Sequence, residues 1–363
     1  MNNFLSAAAI TFIVTFLTTP LVIKFASRFG LVDDADVRKH PAHTHHGIIP
    51  RAGGLSIFLG LLLGCLIFLP LNKILLGILS AAALLIFIGL WDDKKDLSPY
   101  FRFLTNILAA VIVVGAGVGI PYINNPLGGI IHLDSLRISF NFFGPHSLLL
   151  WADLFAVLWI VWCMNMVNWS KGVDGQMPGF VFIAAFILGL LSLRFSNHDI
   201  SQDSVTLLSF ITSAAFLGFL PWNFYPQKIM PGYGGGTLAG FLLAILSILS
   251  WGKLGTAILV LGIPLIDAFY TLARRVVLMK SPFRGDAGHL HHKLLSLGWG
   301  KRRVALFYWL LSAILGVIAL TLNSQQKLFA FVFLGVILGA VLLWLSFFTT
   351  FLKTPKQKED LVK

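Results

Sequence analysis

The sequence predicts an all-α integral membrane protein with about eleven transmembrane helices, its amino terminus outside and its carboxy terminus in the cytoplasm. Three observations predict this. Of the 363 residues, 57% are hydrophobic and only 12% charged, against roughly 25% charged in an average soluble domain; mean hydropathy is +0.85. The apolar residues fall into eleven runs, each near the roughly 20 residues a helix needs to cross a hydrocarbon core of about 30 Å. Lysine and arginine are split unevenly between the polar segments, which fixes orientation. Disordered, collagen-like and disulfide-stapled classes are excluded by the same composition.

In chain order the runs are 4–24, 53–71, 74–91, 101–120, 148–168, 177–194, 204–222, 237–251, 254–273, 303–322 and 327–352. The first has no basic segment before it and is long enough to span, so it reads as a retained helix rather than a cleaved leader. Gly60, Gly64, Gly115, Gly117 and Gly119 allow close helix approach. Cys65 and Cys163 sit inside apolar runs and read as packing residues. Together 1–352 form one polytopic domain, and 353–363 a cytoplasmic tail. Segments 25–52, 92–100, 169–176, 223–236, 274–302 and the tail, with Lys24, Arg102 and Arg303 at their edges, carry 22 of the 27 basic residues; only Lys73, Arg137, Arg194, Lys253 and Lys327 lie in the others. The basic set belongs in the cytoplasm, which also accounts for the net charge of +12 without nucleic acid. The outer segment 121–147, with Ile130–His132 and Leu136–Ile138–Phe140, reads as a small hairpin.

Polar groups at a membrane face are informative because they are costly there. Four clusters stand out, all on the basic face. Asp33-Asp34, Arg38-Lys39, His45 and Pro50-Arg51-Ala-Gly53-Gly54 precede a helix start, where backbone N–H groups and the dipole favour an anion; a solvated loop that sets topology is the alternative. Asp92-Asp93-Lys94-Lys95-Asp96-Leu97-Ser98-Pro99 closes the third helix. Adjacent carboxylates repel and oppose the dipole there, which calls for a compensating cation, Mg²⁺ among them, or a raised pKa. Asn165, Asn168, Lys171 and Asp174 lie in a Gly-punctuated loop whose amides suit phosphate or sugar hydroxyls; Asp174 is equally a turn residue. Arg284, His289, His291 and His292, with Arg274 and Arg275, form the densest basic segment, suited to a diphosphate or an anionic head group.

With these motifs the sequence resembles the polyprenyl-phosphate N-acetylhexosamine-1-phosphate transferase family over about 20–300. It is closer to the branch using UDP-GlcNAc than to the peptidoglycan precursor translocase, because of Gly288-His289-Leu290-His291-His292. The resemblance implies an enzyme that passes a sugar-1-phosphate, GlcNAc-1-phosphate first among them, from a UDP-sugar to undecaprenyl phosphate. The products would be UMP and a diphosphate-linked lipid for cell-envelope polysaccharide. It implies Asp92, Asp93, His291 and Lys171 as catalytic positions, with Asp92 and Asp93 on Mg²⁺ or Mn²⁺. It further implies Arg38, Lys39, His45, Arg51, Asn165, Asn168, Asp174, Arg284, His289 and His292 as substrate contacts. Arg102 and Asn106 stand where the family commonly has Lys and Gln, and Asp267 matches a family position or packs with a buried partner. Two departures bear on the metal. Lys171 stands where the family has Asp in the amide loop, and Tyr233, in Met230-Pro-Gly-Tyr-Gly-Gly-Gly236, where it has a metal-binding Asp. A relative that binds polyprenyl phosphate or nucleotide sugar without turnover is the first alternative and a transporter the second. Monomer and homodimer stay open.

Overall fold

The computed structural model describes residues 2–35, 47–125, 128–141, 145–195, 199, 201–250, 253–279 and 288–351. The helices are α1 (Asn2–Phe29), α2 (Gly53–Phe68), α3 (Lys73–Lys95), α4 (Pro99–Gly115), α5 (Leu150–Trp169), α6 (Gln176–Leu193), α7 (Ser201–Asn223), α8 (Gly232–Leu249), α9 (Lys253–Val260), α10 (Gly262–Val277), α11 (Leu290–Ser296), α12 (Lys301–Thr321) and α13 (Ser324–Phe351). Every apolar run of the sequence coincides with one of them or, for 254–273, with a pair. Eight are long and apolar enough to cross a membrane, nine if the α9–α10 pair is one span. The runs at 53–71 and 101–120 form the shorter helices α2 and α4.

The run 254–273 is not one straight helix: α9 and α10 meet at about 80°. Gly262 and Pro264 lie just past the break, and proline lacks the N–H that would continue the ladder. The segment 223–236, expected as a loop, is helical from Gly232 onward, because those glycines are buried on all sides. In 121–147 there are two hairpins instead of one. β3 (Tyr122–Asn124) pairs with β4 (Ile130–His132), and β5 (Arg137–Asn141) with β6 (Pro145–Leu149). A third hairpin, β1 (Val32–Asp34) with β2 (Ile48–Pro50), follows α1.

Helix α8 is the axis of the bundle. It packs against α5, α3, α2, α6, α9 and α7, and no face of it is left to lipid. Dispersion and close backbone approach drive such packing in a bilayer, so small residues mark the contacts. A Cβ on Gly54 would come 2.4 Å from Gly235 N, one on Gly89 2.3 Å from Gly234 Cα, and one on Gly240 2.3 Å from the Cys163 carbonyl. The partner atoms are backbone and cannot rotate away. Gly240→Ala should therefore lower stability by about 1–3 kcal/mol. Thermal unfolding in detergent measures this, and an unchanged midpoint would show that α5 and α8 have slack.

Candidate active site

The acidic pair is placed by a tight α3–α4 junction. Asp96 takes a left-handed conformation (φ 51°) that ends α3, Ser98 caps α4 by accepting from Phe101 N, and Pro99 starts it. Arg102, one turn into α4, therefore reaches back. Its Nε donates to Asp92 Oδ1 at 2.5 Å and its Nη2 to Asp96 Oδ1 at 2.6 Å. Leu97 N also donates to Asp92 Oδ1. Asp92 is fully buried, and its Oδ2 has no hydrogen-bond partner among the described residues.

Asp93 is held from the opposite side. Its Oδ1 accepts from Tyr233 N at 3.0 Å and lies 3.3 Å from Arg51 Nε; Arg51 lies 3.9 Å from Asp33 as well. The turn at Gly232 makes this possible. Gly232 has φ +71°, and a Cβ there would strike the Arg51 carbonyl and Asp93 Oδ2. The compensating cations that the adjacent carboxylates require are thus Arg102 for Asp92 and Arg51 for Asp93. Arg51, expected as a substrate contact, is committed to Asp93 and Asp33.

Lys171 joins the same centre. Its Nζ donates to the Gly232 carbonyl at 2.7 Å and lies 5.9 Å from the Tyr233 ring centroid. Burial pulls its ammonium down to about 7, while the charge of Asp93 holds it up. Arg102 covers the same ring at 5.3 Å. The Tyr233 hydroxyl reaches Asn106 Oδ1 (3.1 Å) and the Arg102 carbonyl (3.2 Å). Tyr233→Phe would leave the buried Asn106 Oδ1 short of a donor, while the Arg102 carbonyl keeps Thr105 Oγ1, at about 1–3 kcal/mol. A thermal-shift measurement that found no loss would remove the hydroxyl from the account.

The basic loop docks beside Lys171. A Cβ on Gly172 would collide with the His291 Nε2 edge, so the imidazole rests on the loop backbone. His291 is buried, its Nδ1 without a partner among the described residues. Burial first, then the charges of His292 and His289, hold it well below the ordinary histidine range. Burial thus favours its neutral imidazole form. His289 stacks on it at 5.6 Å. Asp267 in α10 orients His289: Oδ2 is 2.9 Å from His289 Nδ1, and Oδ1 accepts from Leu290 N at 2.7 Å. The buried partner of Asp267 is thus His289. One signal in the sequence, an isolated carboxylate in an apolar stretch, marked it.

The other expected contacts scatter. Asn165 Nδ2 donates to the Val161 carbonyl of its own helix. Asn168 Oδ1 is buried, without a partner among the described residues, against Gly236. Asp174 is taken up by Lys301 Nζ at 3.1 Å and Gln227 N at 3.3 Å, tying the α5–α6 loop to α12. His292 lies beside His291, ring centroids 4.3 Å apart. Arg38, Lys39, His45 and Arg284 lie outside the described residues.

Among the described residues no three His, Cys, Asp or Glu side chains converge on a metal position. The acidic pair, with Asp92 Oδ2 buried and without a hydrogen-bond partner among the described residues, suits an ion that keeps phosphate or water ligands of its own, as Mg²⁺ does with one or two protein carboxylates. The pair therefore fits Mg²⁺ carried with phosphates.

A polytopic helical bundle with carboxylates, arginines, a lysine and oriented histidines at one centre defines a membrane protein built to handle a phosphorylated ligand. The profile described as "Glycosyl transferase family 4" matches residues 75–251. A probable undecaprenyl-phosphate N-acetylglucosaminyl 1-phosphate transferase of Bacillus subtilis (strain 168) is 30% identical over 356 residues, covering 94% of this chain and 88% of the relative. An undecaprenyl-phosphate alpha-N-acetylglucosaminyl 1-phosphate transferase of Thermotoga maritima is 30% identical over 333 residues, 92% of this chain and 94% of its own. A decaprenyl-phosphate N-acetylglucosaminephosphotransferase of Mycobacterium leprae is 31% identical over 329 residues, 82% and 78%. The chain belongs to this family of transferases.

Proposed function

We propose that the protein transfers GlcNAc-1-phosphate from UDP-GlcNAc to undecaprenyl phosphate. The observation that carries the reading is Asp92 Oδ2, a buried carboxylate oxygen without a partner among the described residues, set beside Arg102, Arg51 and Lys171. Asp92 takes the proton from the lipid phosphate through that oxygen. The freed lipid oxygen attacks the β-phosphorus of the sugar nucleotide, the bond from that phosphorus to the bridging oxygen breaks, and UMP leaves with the electron pair. Arg102, Arg51 and Lys171 balance the charge that develops on the diphosphate. Asp267 keeps His289 aimed at the same centre, and the basic loop with Arg284 contributes further charge. Mg²⁺, or Mn²⁺ in its place, would be held by Asp93 together with substrate phosphates, leaving Asp92 Oδ2 for the proton, and would supply Lewis-acid polarisation.

The same reading places eleven crossings in the cytoplasmic membrane, counting α2, α4 and the bent α9–α10 pair, with the amino terminus outside. The uneven division of the 27 basic residues supports a cytoplasmic active site. The test is isotope exchange. Labelled UMP incubated with UDP-GlcNAc and undecaprenyl phosphate should scramble into the nucleotide sugar. Nucleotide binding without exchange would instead identify a protein that holds its ligand and does not turn it over.

A further inference from the structure

We infer that Ser346, near the end of the last helix, is a positioning residue for the histidine loop: it receives Lys293 and so fixes the helix that carries His291. The inference rests on the transferase reading for what that loop does, while the contacts themselves stand apart from that reading. Helix α11 is seven residues long, too short to hold itself in place, so its orientation comes from what it touches. At its start Asp267 takes Leu290 N and His289 Nδ1. Lys293, further along, is buried, with 7% of its surface exposed. A buried amino group is costly unless it is bonded, and α13 bonds this one. Lys293 Nζ donates to Ser346 Oγ, and to the Leu342 carbonyl at 3.4 Å. The Tyr270 ring lies 5.4 Å from the same nitrogen, close enough for its face to attract a cation.

One hydroxyl joins three helices. Ser346 Oγ donates to the Leu342 carbonyl of its own helix at 2.6 Å. Its single hydrogen is then in use, so it accepts from Lys293 and from the Tyr270 hydroxyl 2.8 Å away. Tyr270 follows Asp267 by three positions in α10, which puts both on one face. Helix α10 thus meets α11 at Leu290 through Asp267 and at Lys293 through Tyr270, and α13 closes the second contact. Leu338, Leu342 and Leu345 hold α13 there as one buried stripe at helical spacing, while Phe333, Val336 and Phe347 are exposed. His291 precedes Lys293 by two positions and rests on the α5–α6 loop, where a Cβ on Gly172 would come 2.2 Å from its Nε2. A rotation of α11 after loss of the Ser346 bond would carry His291 off that loop and His289 off Asp267.

The test combines steady-state kinetics with hydrogen exchange, read by mass spectrometry, on the purified full-length protein in detergent. Ser346→Ala should cut kcat by about 10- to 100-fold, the range for a residue that orients a working group, and leave the KM of each substrate unchanged. Ser346→Thr, which keeps the hydroxyl, should restore wild-type turnover. In a His289→Gln background Ser346→Ala should cost nothing more, because residues acting as a unit are not additive. Exchange in 290–296 should quicken by about 3- to 10-fold, the effect of one lost hydrogen bond, and stay at the wild-type rate in α8. If Ser346→Ala does not fold, Lys293→Met deletes the same bond from the α11 side and takes its place. Unchanged exchange in 290–296, an equal loss of kcat in the His289→Gln background, or faster exchange in α8 as well overturns the inference. Failure of the transferase reading is separate: wild-type protein would form no lipid-linked product while exchange in 290–296 still rose with Ser346→Ala.

Discussion

Asp92→Asn is expected to cut turnover by about 100- to 10,000-fold, the usual contribution of a positioned general base. The amide keeps an oxygen for Arg102 Nε and Leu97 N, so the α3–α4 junction survives. The change falls on Oδ2, the atom assigned to the proton. Arg102 does not become a stranded charge, because Asp96 still accepts from its Nη2 at 2.6 Å. The fold should therefore withstand a substitution that would otherwise strand a buried cation. Product formation per folded protein, with the folded fraction taken from gel filtration, is the measurement. A variant within threefold of wild type, an arbitrary but strict margin set against roughly 100-fold or more, would take the base away from Asp92. Asp93→Asn should be comparably damaging for a different reason. Asp93 organises Arg51, the Gly232 turn and the metal-side charge together, so its loss should also weaken nucleotide binding.

Asp267→Asn is the second large effect. Its carboxylate joins His289 Nδ1 and Leu290 N, fixing both the ring and the start of α11. An aspartate that orients a working histidine is commonly worth about 100-fold or more, since the amide permits the wrong tautomer. A merely structural role would also lower activity, so the discriminating readout is coupling. If Asp267 acts through His289, then Asp267→Asn combined with His289→Gln should lose no more than His289→Gln alone, because residues acting as a unit are not additive. Multiplicative losses would mean that Asp267 supports the bundle and nothing else.

Most of the helical architecture could be read from the sequence because bilayer thickness imposes a length on every span. The misreadings have specific physical causes. Gly232-Tyr-Gly-Gly-Gly236 looks like a loop by composition, and it is helical because α8 is surrounded by helices that need its glycines for contact. The break between α9 and α10 was signalled by Gly262 and Pro264, but hydropathy does not register direction. Two short hairpins replaced one because the alternating residues on either side of Asp134 pair locally, within 122–132 and 137–149.

The site divides the same way. Asp92 and Asp93 were legible because adjacent carboxylates at a helix end demand compensation. What compensates them was not, since Arg51, Lys171 and Tyr233 lie 42, 78 and 140 positions from Asp93 in the chain and only the packing of α8 brings them together. Asp174 could be read as a ligand contact or a turn residue; Lys301 and Gln227 now account for both its oxygens. His291 could be read as a cation until its burial was known. Tyr233 and Lys171, read as departures from a family pattern, meet at the Gly232 turn: Lys171 Nζ donates to the Gly232 carbonyl and Tyr233 N to Asp93.

The central claim is that this centre moves a sugar phosphate onto a lipid. The direct measurement is a radiolabel transfer assay: purified protein, undecaprenyl phosphate and a panel of UDP-sugars, with Mg²⁺, with Mn²⁺ and with EDTA. The account predicts labelled diphosphate-linked lipid with UDP-GlcNAc, UMP released in equal amount, and at least about 100-fold less product from Asp92→Asn. Wild-type protein that binds nucleotide or lipid yet forms no labelled lipid with any sugar in any of the three conditions would contradict it.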